Sequence, residues 1–194
     1  MSKRPVVLAV FLIVAGVVGW IAAFALTVEK FALLTDPTTA LSCDVSVLVQ
    51  CSKNLDSWQG SLFGFPNPLI GLAAWIAPMV VGVALLSGAR FARWFWALFN
   101  LGLLAALALV IWLISQSVFV LGTLCPWCMV TWSATIPAFL AVTLYNLREG
   151  NIPAPPAVRR AAAAAYGWVP AITLGCYLVI AVIAQVQLDV LGSL

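Results

Sequence analysis

Histidine is absent from this chain, which removes the usual metal ligand and the usual proton shuttle at once. Charge is nearly absent too: 8% of the residues are Asp, Glu, Lys or Arg, where a soluble domain carries roughly 25%. With 64% hydrophobic residues and a mean hydropathy of +1.13, the chain belongs in lipid. Its net charge of +3 is scattered in small groups, so no basic patch marks a nucleic-acid partner. Any chemistry must run on Cys, Ser, Asn, Trp or the few carboxylates.

What is there is a set of long apolar runs. Five of them, 6–28, 66–86, 94–115, 124–147 and 166–186, contain no Asp, Glu, Lys or Arg. Each is close to the ~20 residues a helix needs to cross the hydrocarbon core. A barrel would need alternating segments of ~10 residues instead. The expectation is an all-α integral membrane protein, a single membrane domain over 1–194.

Charge sets the expected orientation. Lys3, Arg4, Arg90, Arg93, Arg148, Arg159 and Arg160 fall on one side of a five-span chain, seven of the nine basic residues. The positive-inside rule places that side, with the N-terminus, in the cytoplasm, and the C-terminus outside. Ala23-Phe24-Ala25 fits a signal-peptidase pattern, but the first run is longer than the 7–15 residues of a typical signal core.

The connections differ in kind. Residues 116–123, QSVFVLGT, read as a tight external turn. The stretch NIPAPPAVRR within the cytoplasmic linker 148–165 reads as an extended spacer that leaves the last helix peripheral, with AAAAA at 161–165 beginning that helix. The external segment 29–65 is too long for a turn, and loops of this length are usually functional or disordered. It carries Cys43 and Cys51, with seven residues between them, then SWQGSLFGFP at 57–66, whose aromatics suit the membrane interface.

The topology puts Cys43, Cys51, Cys125 and Cys128 on the external face, where disulfides persist. In CPWC at 125–128, Pro126 suits the first helical position, which makes Cys125 the cap. A helix start stabilises an anion and so the thiolate. The two sulfurs, three residues apart, share one face, and Cys128 lies one turn deeper, within reach of a lipid-soluble electron acceptor. The flexible loop pair is expected to face water, within reach of a soluble dithiol. Two pairs at different depths suggest a relay of thiolate exchanges. The alternatives are static disulfides in a non-enzymatic scaffold, or a four-cysteine zinc site, for which the spacing is wrong. Cys176 in the last run reads as buried apolar filler.

These residues, in this order, resemble the vitamin K epoxide reductase family: SCDVSVLVQCS at 42–52, then Ser57, then FGFPNPLIG at 63–71, then CPWC. The resemblance implies a four-helix transmembrane bundle around a quinone, capped by the Cys-bearing loop, plus a fifth peripheral helix found in many bacterial members. It implies a thiol:quinone oxidoreductase of the bacterial plasma membrane that supports disulfide formation in exported proteins. The acceptor would be a quinone of menaquinone or ubiquinone type, without a metal. Because no fused thioredoxin-like segment is seen, the implied donor is a separate DsbA-like or thioredoxin-like soluble partner. Cys43 would exchange with that partner, Cys51 would bond to Cys125, and Cys128 would lie next to the ring. Asn67 matches an asparagine that hydrogen-bonds a quinone carbonyl, and Ser57 a serine near the loop pair. Trp132 stands where vertebrate members have a tyrosine, and an indole cannot take a proton, which points away from epoxide reduction. A DsbB-type quinone reductase would do the same work, but there the CxxC usually precedes the spaced pair.

Overall fold

The computed structural model describes residues 5–192. Lys3 and Arg4, which carry part of the orientation argument, lie outside the described residues. Among those residues, five helical spans are long and apolar enough to cross a membrane: Val6–Thr35, Pro68–Leu86, Arg93–Leu121, Pro126–Glu149 and Val169–Leu188. In chain order the helices are α1 (Val6–Thr35), α2 (Ser52–Asp56), α3 (Pro68–Ala74), α4 (Ile76–Leu86), α5 (Arg93–Ser115), α6 (Pro126–Glu149), α7 (Pro156–Tyr166) and α8 (Val169–Leu188). A short 3-10 turn, Trp58–Ser61, follows α2, and a wide π-type turn, Gln116–Leu121, continues α5.

Helix α1 is the centre of the bundle, packed against α3, α4 and α6, while α5 packs on α6. Lipid tails are as apolar as leucine, so helices in a bilayer associate through close packing rather than hydrophobic expulsion. Gly19 shows how close: a Cβ added there would lie 2.1 Å from Cε2 of Trp75. The absent side chain is the seat of the Trp75 indole. Span two breaks between α3 and α4 at Trp75, because Pro78 has no N–H to give the Ala74 carbonyl.

Proline also decides where α8 docks. Pro137 lies inside α6 and leaves the carbonyl of Ser133 without its intrahelical donor. The hydroxyl of Tyr177, on α8, donates to that carbonyl at 2.6 Å. The best spanning window of α8 is 11% buried, against 44% for α1, so the fifth span is peripheral.

Several boundaries depart from the expected ones. Helix α1 does not end at Val28 but runs on to Thr35, about 10 Å further at 1.5 Å per residue. It does so because Glu29 and Lys30 find partners in the loop. The expected tight turn at 116–123 is mostly helical, and the chain reverses only at Gly122, at φ +65°. The alanine run does not begin the last span. It forms its own helix, α7, which packs on α6 and ends before Gly167 and Trp168. Arg148 lies over the Tyr166 ring at 4.4 Å, and Arg93 Nε donates to Gly150 O at 3.0 Å. These contacts tie α7 and the start of α5 to the end of α6, so only 151–155 remain as spacer. Cys176 is half-exposed on α8 rather than buried, because little packs on that helix.

Candidate functional site

The loop between α1 and α3 is held at both its edges. On the α1 side, Ser42 donates its N–H to Glu29 Oε1 at 3.3 Å, and its hydroxyl donates to the same oxygen. Lys30 Nζ donates to the Leu55 carbonyl at 2.8 Å and lies 3.9 Å from Asp56. A cation is thus placed at the last turn of α2, where carbonyls lack intrahelical donors. On the α6 side, Leu124 N–H donates to Leu48 O at 2.7 Å and Gln50 N–H donates to Leu124 O at 3.0 Å, a single parallel bridge. Asn54 adds a side-chain clamp: Nδ2 donates to Thr123 Oγ1 at 2.8 Å, and Ser117 Oγ donates to Asn54 Oδ1 at 3.1 Å.

That bridge brings three cysteines together. Cys43 and Cys51 are joined as a disulfide. Sγ of Cys125 lies 3.3 Å from Sγ of Cys51. Cys125 precedes the first helical residue of α6, in extended backbone, with Pro126 next, and its sulfur accepts the N–H of Cys128 at 3.3 Å. The hydrogen bond with the Cys128 thiol, followed by the N–H groups of Cys128 and Trp127, holds the Cys125 thiol below its ordinary value despite burial. The pairing expected from the resemblance, Cys51 with Cys125, is not the bond seen here. The two are in contact while Cys51 is bonded to Cys43.

The loop pair is not open to water, as the sequence suggested. Cys51 is 0% and Cys43 5% exposed. Both pack in a cluster with Leu26, Leu33, Leu41, Leu55 and Cys125. Apolar residues of α1 and of the loop close over the sulfurs, so the segment is ordered. Asp44 contributes to that order by accepting the N–H of Cys51 at 2.7 Å and of Ser52 at 3.1 Å. Burial alone would raise its carboxyl; those two N–H groups outweigh it, and the group sits below its usual value.

Beside the sulfurs lies a cavity of about 820 Å³, within the range of small-molecule sites. Cys128, Trp132, Ser57 and Asn67 all line it; Cys43, Cys51 and Cys125 do not. Its polar groups come mainly from the loop and the π-type turn, including Asn54, Gln59, Gln116 and Ser117, and residues of α5 line it from Trp94 onward. From Trp94 to Gln116 is about 33 Å of helix, so the cavity is a slot with a polar head and a long apolar wall. Asn67 precedes α3 without a side-chain cap bond. Instead Nδ2 donates to Gln59 O at 2.6 Å, and Oδ1 accepts Leu62 N–H at 3.1 Å. One amide hydrogen remains. Ser57 Oγ donates to Asn54 O at 2.7 Å and accepts Gly60 N–H.

Sequence reasoning missed Gln59, Gln116, Ser117 and Asn54. A signal existed for one of them: Gln116 is the first amide after the apolar stretch 101–114. Among the described residues, no group of three or more His, Cys, Asp or Glu is placed to hold a metal ion.

A family model, that of the vitamin K epoxide reductase family, matches residues 10–143. That is more than half of the chain and includes the four cysteines, the loop, and Ser57, Asn67 and Trp132. No curated protein matches the chain.

Proposed function

Because the chain belongs to the vitamin K epoxide reductase family, we propose that it is a membrane thiol:quinone oxidoreductase. It takes electrons from a soluble DsbA-like or thioredoxin-like dithiol protein and delivers them to a quinone of menaquinone or ubiquinone type. The observation that carries this reading is the 3.3 Å between Cys51 Sγ and Cys125 Sγ, with Cys128 on the cavity wall.

Each step is an exchange of one S–S bond for another. A thiolate of the partner attacks Cys43, the Cys43–Cys51 bond breaks, and Cys51 leaves as a thiolate. The partner's second thiolate attacks its own sulfur in the mixed disulfide, so the partner departs oxidised and Cys43 is a thiol. Cys51 then attacks Cys125 of a Cys125–Cys128 disulfide and releases Cys128 as a thiolate. Cys43 attacks Cys51, which restores the loop disulfide and frees Cys125. The electron pair now resides on Cys125 and Cys128 as two thiols. A quinone, when bound, would accept two electrons and two protons and leave as the quinol. Cys125 and Cys128 return to a disulfide.

The cavity suits such an acceptor. Amide and hydroxyl groups gather at its loop end, beside Cys128, where ring oxygens need partners. The apolar wall along α5 suits a long hydrocarbon tail and keeps water from the sulfurs. Since Cys43 is buried, the partner must lift the loop, and the surface contacts of Ser42 with Glu29 are the ones that yield first. The cysteine end would face outside, and Arg90, Arg93, Arg148, Arg159 and Arg160 the cytoplasm, in a bacterial plasma membrane. The resulting role is disulfide formation in exported proteins.

The test uses three single variants and non-reducing mass mapping. Cys43→Ala should accumulate a Cys51–Cys125 disulfide, because the attack that resolves it is gone. Cys128→Ala should abolish quinone reduction, and Cys176→Ala should retain it. Full turnover in Cys128→Ala, or no Cys51–Cys125 bond in Cys43→Ala, would overturn the relay.

A further inference from the structure

The end of the bundle away from the cysteines is short of negative charge. Five of the chain's six carboxylates, those of Glu29, Asp36, Asp44, Asp56 and Asp189, belong to the cysteine end. The sixth, Glu149, is taken: Arg148 Nη2 lies 2.8 Å from its Oε1. Arg90, Arg93, Arg159 and Arg160 stand at that same end, and among the described residues no carboxylate pairs with any of them.

Two of these cations converge on one residue. Gly150 closes α6 at φ +73°, a left-handed backbone that suits glycine. Its carbonyl accepts Arg93 Nε at 3.0 Å. Arg159 Nη2 lies 3.0 Å from the point that a Cβ of Gly150 would occupy, so the guanidinium sits in the space the missing side chain leaves. Two charges of one sign thus flank a single neutral residue. The carbonyls at the end of α6 answer part of the Arg93 charge. No hydrogen bond or ion pair among the described residues engages the Arg159 guanidinium, so its five N–H groups are unspent. Like charges this close repel, and an anion set between them relieves the repulsion.

Two exposed indoles mark the depth of this place in the bilayer: Trp94, beside Arg93, and Trp168, just past the end of α7. Indoles collect where hydrocarbon meets headgroups. A pair of cations at that level faces the phosphates of lipids, and basic pockets between spanning helices bind acidic headgroups.

We infer that Arg93 and Arg159 form a binding site for the headgroup of an anionic phospholipid, whose phosphate sits between the two guanidiniums at Gly150. Orientation by positive charge requires only that arginines lie on one side of the membrane; this site requires these two in particular. Its consequence is mechanical. The bound anion ties the start of α5 and helix α7 to the end of α6, remote from the sulfurs, and it does so whether or not the thiol relay operates.

The test uses the full chain in a nonionic detergent, mixed with dioleoyl phosphatidylglycerol or with dioleoyl phosphatidylcholine, and counts bound lipid by native mass spectrometry. Each basic residue beside an acidic headgroup contributes a factor of about five. Wild type should therefore prefer the glycerol lipid about thirtyfold. Arg159→Gln should weaken its binding about fivefold, and Arg93→Gln with Arg159→Gln should abolish the preference. Arg159→Lys, which restores the charge, should keep most of it. Lys53→Gln removes the same charge at the cysteine end and should change nothing. Wild type without a preference overturns the inference, as does a Lys53→Gln protein that loses as much as Arg159→Gln. Excess sodium phosphate, at an ionic strength matched with sodium chloride, should leave the lipid in place; displacement would assign the pair to a soluble anion and overturn the lipid reading. Should Arg93→Gln fail to fold, Arg159→Gln decides alone, since its side chain holds no bond within the described residues.

Discussion

Leu124 and Val49 pair as an isolated parallel bridge, and one residue beyond Leu124 and two beyond Val49 are the sulfurs of Cys125 and Cys51, 3.3 Å apart. The sulfur contact is therefore a product of backbone register. The bonds on either side of Val49, from Leu124 to Leu48 and from Gln50 to Leu124, fix that register. A slip of one residue would shift Cys125 along the extended backbone by about 3.3 Å relative to Cys51, enough to break the sulfur contact.

Asn54 is the side chain that should matter most to this register. Asn54→Ala removes the partner of Thr123 Oγ1, in a residue 1% exposed, and one partner of the buried Ser117 hydroxyl. Leaving such groups unpaired costs about 1–3 kcal/mol. The expected outcome is faster amide exchange at 48–52 and a severalfold lower yield of the Cys51–Cys125 bond in the Cys43→Ala background. An unchanged yield would mean that the backbone bridge suffices.

Asp44 gives the loop a pH dependence of known sign. Its carboxyl is held below the ordinary 3.8 by the N–H groups of Ser52 and Cys51, against the opposing effect of burial. A depressed carboxyl contributes stability that is present above the unfolded value and is lost as pH falls through the folded one. Reduction of the Cys43–Cys51 bond by a small phosphine should therefore show no Asp44-dependent change near neutral pH and should accelerate once pH drops below about 3.8. Asp44→Asn should raise the rate at neutral pH and flatten the acid limb. A wild-type profile that is flat through the acid range would show that Asp44 does not hold the loop closed.

Tyr177 should govern how firmly the fifth span stays docked. Tyr177→Phe removes the donor to Ser133 O, worth about 1 kcal/mol, a factor of about five in an opening equilibrium. Cys176, half-exposed beside it, reports the change: its rate of maleimide labelling should rise about fivefold, while the proposed quinone reduction stays near wild type. A labelling rate that does not change would place the docking energy elsewhere on α8.

Much of the fold was legible because membrane burial writes itself as composition. A run such as 66–86 has no charge to stop it, and lipid gives a backbone no choice but to satisfy its own polar groups. The CPWC cap was legible for a local reason: proline at the first helical turn and a cysteine before it dictate the start of α6. The end of α1 was not legible. Glu29 and Lys30 look like a boundary, yet each is satisfied by a residue far along the chain, Ser42 and Leu55. The burial of Cys43 and Cys51 was missed for a similar reason, since the leucines that cover them come from both α1 and the loop.

Sequence by itself determined the helical class, the spans and the presence of two cysteine pairs, because hydrophobic length and local capping act over a few residues. Only the tertiary structure decided that Cys51 meets Cys125 and that Cys128 but not Cys125 lines the cavity. Those facts depend on the pairing of segments about 70 residues apart, whose register is set by backbone bonds that leave no mark on the order of the amino acids.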